Sequence, residues 1–392
     1  MKQGQSHSRF MRIAASLVIT LMAVFLCTSV LVSSGPSKTF SSRALANWTT
    51  TLSGGHFLKL MGTENRVFTE ALPDEERESF SLGSLFFAIT TSINPDDPRS
   101  LLGRELPGFS LFDTTIHIAG EGTDYTSLPV ESSPPDDLLA SEQKAKQEAL
   151  DRKKAEEEAA KKKEAEQANK ADEDKVVDVY IGTTHTYESF FPELEMEDTE
   201  NANKATHKEI NMTMVADRLK QALEQHGIYA QVEERDVQAT LVERGLGYEA
   251  SYDVSREFIK SAKADNDDLM YFFDLHRDSI RRDKTTVTIN GETFARPFFV
   301  VGQNYADFES NLQIANELHK KLEEIYPSLS RGVFKKSGAS TNGRFNQDLF
   351  ANSILLEIGG VDNSLEEAYR SIDAFAEVFA DYYYNEKEGE NE

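Results

Sequence analysis

His185 and Glu188 are the first residues in the chain whose types and spacing could bind a metal. At H-x-x-E spacing one helical turn brings an imidazole and a carboxylate to the same side. With His276 they would form a His₂Glu set and leave a fourth position open for water, the arrangement of a catalytic zinc. Asp274-Leu275-His276-Arg277-Asp278 surrounds the second histidine with acids able to orient its ring. Glu357 is the fourth piece. In Leu355-Leu356-Glu357-Ile358-Gly359-Gly360 a carboxylate stands among apolar neighbours, where partial burial raises its pKa toward that of a useful general base. Each piece also has a plainer reading. H-x-x-E serves equally as a helix cap or a surface pair, and Glu357 could be tied to Arg277 or Arg296 in a salt bridge.

The elements that would position these residues lie between Val176 and Tyr384. Val176 to Gly182, Ile228 to Val232, Leu269 to Asp278 and Ser353 to Gly360 are apolar, largely β-branched or aromatic runs of strand length. Between them fall amphipathic helices: Met212, Val215, Leu219, Ala222 and Leu223 with Gly227 as a stop, a stretch around Ser255 to Ala264, and Phe308 through Ile325. Leu365 to Tyr382 closes the domain as a helix. Thr285 to Ile289 and Phe294 to Val301 flank Asn290-Gly291, a strong hairpin signal. This alternation predicts an α/β fold, a parallel or mixed sheet with helices on both faces. In such sheets ligands bind at the carboxyl ends of parallel strands, which is where His185, His276 and Glu357 fall.

Composition narrows the function. The 392 residues carry 42 Lys+Arg against 67 Asp+Glu, a formal net charge of −25, so binding to nucleic acid is not expected. The single cysteine, Cys27, leaves no disulfide framework and no multi-cysteine metal site. Ile13 to Ser34 is uncharged and apolar and would span about 33 Å as a helix, enough to cross a membrane. Lys2, Arg9 and Arg12 place residues 1–12 in the cytoplasm and the remainder outside. A cleaved signal peptide is the competing reading, but the run exceeds the usual h-region and no Ala-x-Ala follows it. Residues 42–125 read as a small ectodomain and 126–175 as a spacer. The spacer begins Ser/Pro-rich and becomes Ala/Glu/Lys-rich from Leu139, with helix propensity but no apolar face to bury. Residues 385–392 form an acidic tail.

Four segments in order carry a family resemblance: Thr183 to Phe190, Phe272 to Ser279, Asn346 to Leu349 and Leu356 to Asn363. With Asp97-Pro98-Arg99-Ser100-Leu101-Leu102-Gly103-Arg104 upstream, they resemble the stage II sporulation protein P family of membrane-anchored cell-wall hydrolases. That family is similar to zinc-dependent N-acetylmuramoyl-L-alanine amidases and, more remotely, to zinc carboxypeptidases. The resemblance implies an amidase-like fold and Zn²⁺ held by His185, Glu188 and His276, with His207 as a rival third ligand. Glu357 would move protons and Arg277 help hold the oxyanion. The implied substrate is peptidoglycan, at the bond between the lactyl group and L-alanine, with cross-link cleavage as a second activity. Implied partners are stage II sporulation proteins D and M at the sporulation septum. Members often show His-Thr-His where this chain has Thr183-Thr184-His185, so the first of those histidines is replaced here. A scaffold with a vestigial site and a carboxypeptidase-like peptidase are the alternatives.

Overall fold

The structure, a computed structural model, describes residues 114–131, 133–134, 144–168, 176–337 and 342–389. All lie in one compact unit running from Asp97 to Glu392. The expected anchor at 13–34 and most of the 42–125 region fall outside the described residues, among which no helix is long and apolar enough to cross a membrane.

The strands are β1 (Thr114–Ala119), β2 (Val177–Gly182), β3 (Tyr229–Val232), β4 (Tyr271–Asp278), β5 (Thr286–Ile289), β6 (Glu292–Ala295), β7 (Pro297–Gly302), β8 (Gly332–Lys336) and β9 (Asn352–Gly360). The helices are α1 (Gln147–Ala168), α2 (Met212–Gln225), α3 (Val237–Arg244), α4 (Ser251–Asp265), the single turn α5 (Arg282–Thr285), α6 (Phe308–Ile325) and α7 (Leu365–Gly389). Seven strands form one sheet in the order β1-β8-β7-β9-β4-β2-β3. The block β9-β4-β2-β3 is parallel, β7 runs antiparallel to β9, and β1 runs antiparallel to β8. The sheet is therefore mixed.

Alternation along the strands divides two cores. Val179, Ile181, Phe273, Leu356 and Val333 face α2, α6 and α7, with Phe273 edge-on to Phe375 and Phe379. Tyr180 and Phe272 face the other way, against Ile259 and Ala262 of α4. Helices thus cover both faces, as the alternation of elements predicts.

Three differences from the sequence reading follow from local chemistry. The run from Phe294 to Val301 is not one strand. Asn290 and Gly291, both at positive φ, turn β5 into β6, and the chain then breaks at Arg296 so that β7 enters the main sheet. Second, the sheet draws on residues upstream of Val176, since β1 pairs with β8 over Thr114 to Ala119. Third, the start of the charged stretch is docked rather than solvated. Ala145 and Ala149 are buried and Leu150 packs on the core, while the Tyr369 hydroxyl donates to Glu156 Oε2 at 2.9 Å. Ala149 and Leu150, with Ala145 just before the helix, are enough to seat a helix that otherwise shows no apolar face.

The turn that follows β9 is held by a capping box at the start of α7. Ser364 N donates to Glu367 Oε2 at 3.1 Å and Glu367 N to Ser364 Oγ at 3.2 Å. Burial works against the Glu367 charge, but Arg282, Asn363 and the Ser364 amide outweigh it and hold the carboxyl down to about 2. A depressed folded-state pKa stabilises above the ordinary value of 4.5 and is lost as pH falls toward 2. Glu367→Gln is therefore expected to be less stable than the wild type at pH 7 and equal to it near pH 2. Urea midpoints measured across that range test this, and a constant gap would refute it.

Candidate active site

The site lies at the carboxyl ends of β2, β4 and β9, adjacent and parallel. Each strand is an apolar run that stays in register until it turns polar. Gly182 lies opposite Asp274, and His276 lies opposite Glu357. Beyond Gly182 the chain leaves the sheet through Thr183 to Tyr187 and brings His185 and Glu188 over the end of β4. All four expected residues are buried: His185 3%, Glu188 3%, His276 1% and Glu357 3% exposed.

His185 and His276 meet edge to face with ring centres 5.0 Å apart. Among the described residues, neither ring nitrogen of His185 has a hydrogen-bond partner. Burial and the neighbouring His276 push its pKa well down, so it is a neutral imidazole. His276 Nε2 faces Asp274 Oδ2 at 3.1 Å, and Nδ1 is left 3.9 Å from Glu188 Oε2, too far for a hydrogen bond. Burial works against a charged His276, but Asp274 overrides it and raises the pKa. Asp274 is fixed in turn by Thr184, whose backbone N donates to Oδ1 at 2.9 Å and whose hydroxyl donates to Oδ2 at 2.7 Å.

These residues fit a metal. Both histidines present a nitrogen without a partner, and an acid orients the far side of one ring. Two imidazoles on one tetrahedral ion, bound at about 2.0–2.1 Å, place their ring centres about 5 Å apart, the separation found here. Among the described residues, however, no three His, Cys, Asp or Glu side chains are already gathered into a metal cluster. Glu188 Oε2 instead accepts the Arg277 amide at 2.8 Å.

Glu357 Oε2 is buried without a partner among the described residues. Burial, with the negative charges of Asp278 and Glu188 beside it, pushes the carboxyl upward against the opposing pull of His276 and Lys336. The pairing with Arg296 considered from the sequence is not formed. That guanidinium donates to the carbonyls of Glu121 and Ser330.

Two expected residues are placed differently. The Arg277 guanidinium donates to the Ala205 carbonyl at 2.9 Å, which also accepts the Ser189 amide, and it is the Arg277 backbone amide that donates to Glu188 Oε2. His207 Nδ1 accepts the amides of Glu209 and Ile210 at 3.0 and 2.9 Å, a local cap that occupies the nitrogen a metal would need. Between the two proposed third ligands, the geometry brings Glu188 to His276 and commits His207 elsewhere.

Sequence reasoning missed several neighbours. Tyr248 stacks on His185 with centres 4.6 Å apart, and Tyr252 lies edge-on to His185 at 5.4 Å and stacks on His276 at 6.1 Å. Two tyrosines four residues apart carried a signal, since that spacing puts both on one helical face, but it reads as ordinary core. Glu131 also had no signal. Its segment is held by Val130 N donating to Asp278 Oδ1 at 3.1 Å and by Arg331 Nη2 donating to the Ser127 carbonyl at 2.6 Å. Glu131 Oε1 stands 3.8 Å from Lys336 Nζ. The surrounding protein raises the cost of its charge, but Lys336, His185 and His276 hold the carboxyl below its ordinary value. Asp278, which anchors this segment, is itself paired with Arg331 at 2.8 Å, both side chains fully buried.

The profile of the Stage II sporulation protein P family matches residues 96–380. Stage II sporulation protein P of Bacillus subtilis (strain 168) is 42% identical over 368 residues, 94% of this chain and 90% of that protein. Among solved structures, the CwlD amidase from Clostridioides difficile in complex with the GerS lipoprotein superimposes with a TM-score of 0.34 and 14% identity, covering 53% of this chain and 98% of that one.

Proposed function

The chain belongs to the stage II sporulation protein P family, and on that premise we propose that it hydrolyses peptidoglycan at the amide between the glycan lactyl group and the first L-alanine of the stem peptide. One observation carries the reading: polar atoms sealed from water without partners, on His185, His276, Glu357, Tyr248 and Tyr252, gathered at the ends of three parallel strands. Orphaned buried polar groups cost stability, so a cluster of them marks a place whose partners arrive with ligand and substrate.

His185, His276 and Glu188 would hold Zn²⁺, which when bound supplies Lewis acidity to the amide carbonyl and to an attacking water. Asp274, backed by Thr184, keeps the His276 ring oriented with Nδ1 forward. Glu357 Oε2 takes the proton of the attacking water and delivers it to the nitrogen of the leaving L-alanine. An elevated pKa suits a group that must both accept and return a proton near neutral pH. Arg277, through its amide, steers Glu188. With residues 13–34 as its anchor, the enzyme would work outside the membrane at the sporulation septum, beside stage II sporulation proteins D and M.

Full-length protein in detergent, loaded with zinc and incubated with purified sacculi, is expected to release glycan strands and stem peptides with free N-terminal L-alanine, read by mass spectrometry. New termini only within cross-links would replace the amidase by an endopeptidase, and release of single terminal amino acids by a carboxypeptidase. No new termini would leave the scaffold reading.

A further inference from the structure

Tyr252 is held from three sides, yet its hydroxyl has nothing to hold. Its ring stacks on His276 and lies edge-on to His185, with Phe345 against it at 5.4 Å. Behind it, Asn346 Nδ2 donates to the Tyr252 carbonyl at 3.0 Å and to Ser255 Oγ at 2.9 Å. Phe345 and Asn346 are consecutive non-glycine residues in the left-handed region, at φ 52° and 55°. Such strain persists only where the surroundings over-determine it, and here it presses Phe345 and Asn346 onto one tyrosine. The residue is 6% exposed, and its hydroxyl is out of water and, among the described residues, without a hydrogen bond.

A phenylalanine would fill the same space without an unsatisfied oxygen, so packing does not account for the hydroxyl. A tyrosine phenol, with an ordinary pKa of about 10, is protonated at neutral pH. It is thus a neutral donor beside the two histidines. Tyr248 is the weaker candidate, since it stacks on His185 alone.

We propose that the Tyr252 hydroxyl donates a hydrogen bond to the carbonyl oxygen of the scissile amide and strengthens it as negative charge develops there. The proton stays on the phenol throughout. The role is that of an oxyanion donor held ready by its surroundings, and it rests on the amidase reading above.

The test is Tyr252→Phe in the full-length, zinc-loaded protein. Turnover of sacculi is expected to fall about ten- to a hundredfold in kcat, with KM changed less than about threefold. Zinc content should stay at the wild-type level, and the melting temperature should be equal or slightly higher because an unsatisfied oxygen has been removed. Unchanged kcat, or a lower melting temperature, would overturn the proposal by making the hydroxyl dispensable or structural. Wild-type protein that fails to cut sacculi defeats the amidase reading itself. The hydroxyl assignment is then decided by calorimetry with muramyl dipeptide, for which Tyr252→Phe should bind about five- to tenfold more weakly. Equal or absent binding rejects it.

Discussion

Glu357→Gln is expected to lower hydrolysis of purified sacculi by about a hundred- to ten-thousandfold, the usual range for losing a general acid–base group, while the protein stays folded and keeps its zinc. The amide is almost isosteric with the acid, and the backbone of residue 357 remains paired opposite His276 in the β4–β9 ladder. Only the ability to take a proton at Oε2 is removed. Stability should move in the opposite direction. In the wild type a buried carboxyl with no partner on Oε2 sits near Asp278 and Glu188, and a neutral amide removes both the desolvation and the repulsion. A gain of about 1 kcal/mol in denaturant unfolding at pH 7 is the expected size, the kind of trade seen where a site is strained for function. Turnover within threefold of the wild type would take Glu357 out of the mechanism.

His185→Ala and His276→Ala are both expected to abolish zinc retention after dialysis, measured by atomic absorption, and to reduce hydrolysis by more than about a hundredfold. The two should separate in the metal-free protein. His185 has no hydrogen-bond partner among the described residues, so its removal strands no polar group and costs only the lost ring packing. His276 answers the buried carboxylate of Asp274 at 3.1 Å, and deleting it leaves that charge with Thr184 alone. Breaking one side of a buried pair costs about 3–5 kcal/mol. Urea unfolding after chelation measures the difference. Equal losses in the two variants would mean that the Asp274 contact contributes nothing to the fold.

The centre of this site was readable in the amino-acid sequence because its strands announce their own ends. Val177 to Gly182, Tyr271 to Asp278 and Asn352 to Gly360 are apolar until the residues that carry chemistry, and a parallel sheet brings such ends together. What escaped notice was contributed by segments with no such boundary. β8 offers only Val333 and Phe334 between Gly332 and two lysines, too short a pattern to stand out. β1 alternates Thr, Ile and His on a strand half exposed, and only its partner β8 makes it a strand. Tyr252 lies in a helix where an aromatic at regular spacing reads as core, and it is indeed core on one side. Its unsatisfied hydroxyl is a property of the surroundings, as is the approach of Glu131, which depends on a bond from residue 130 to residue 278. The split at Arg296 depends on which neighbours β6 and β7 find, β5 for the one and β9 with β8 for the other.

The upstream edge of the sheet bears on what a protease could do to this protein. A cut between Ala168 and Val176 would sever the chain without separating the parts. The upstream piece would still be laced to the downstream one through β1 on β8, through Arg331 on the Ser127 carbonyl, and through Tyr369 on Glu156 of α1. A nicked molecule should therefore travel as one particle in gel filtration and come apart only in denaturant. Conversely, a recombinant fragment begun at residue 176 would bare the β8 edge and lose the Leu128 side chain that packs with Tyr252 and Phe345. Supplying residues 97–168 as a separate peptide should restore it, a fragment complementation in which the apparent linker acts as a structural part of the domain.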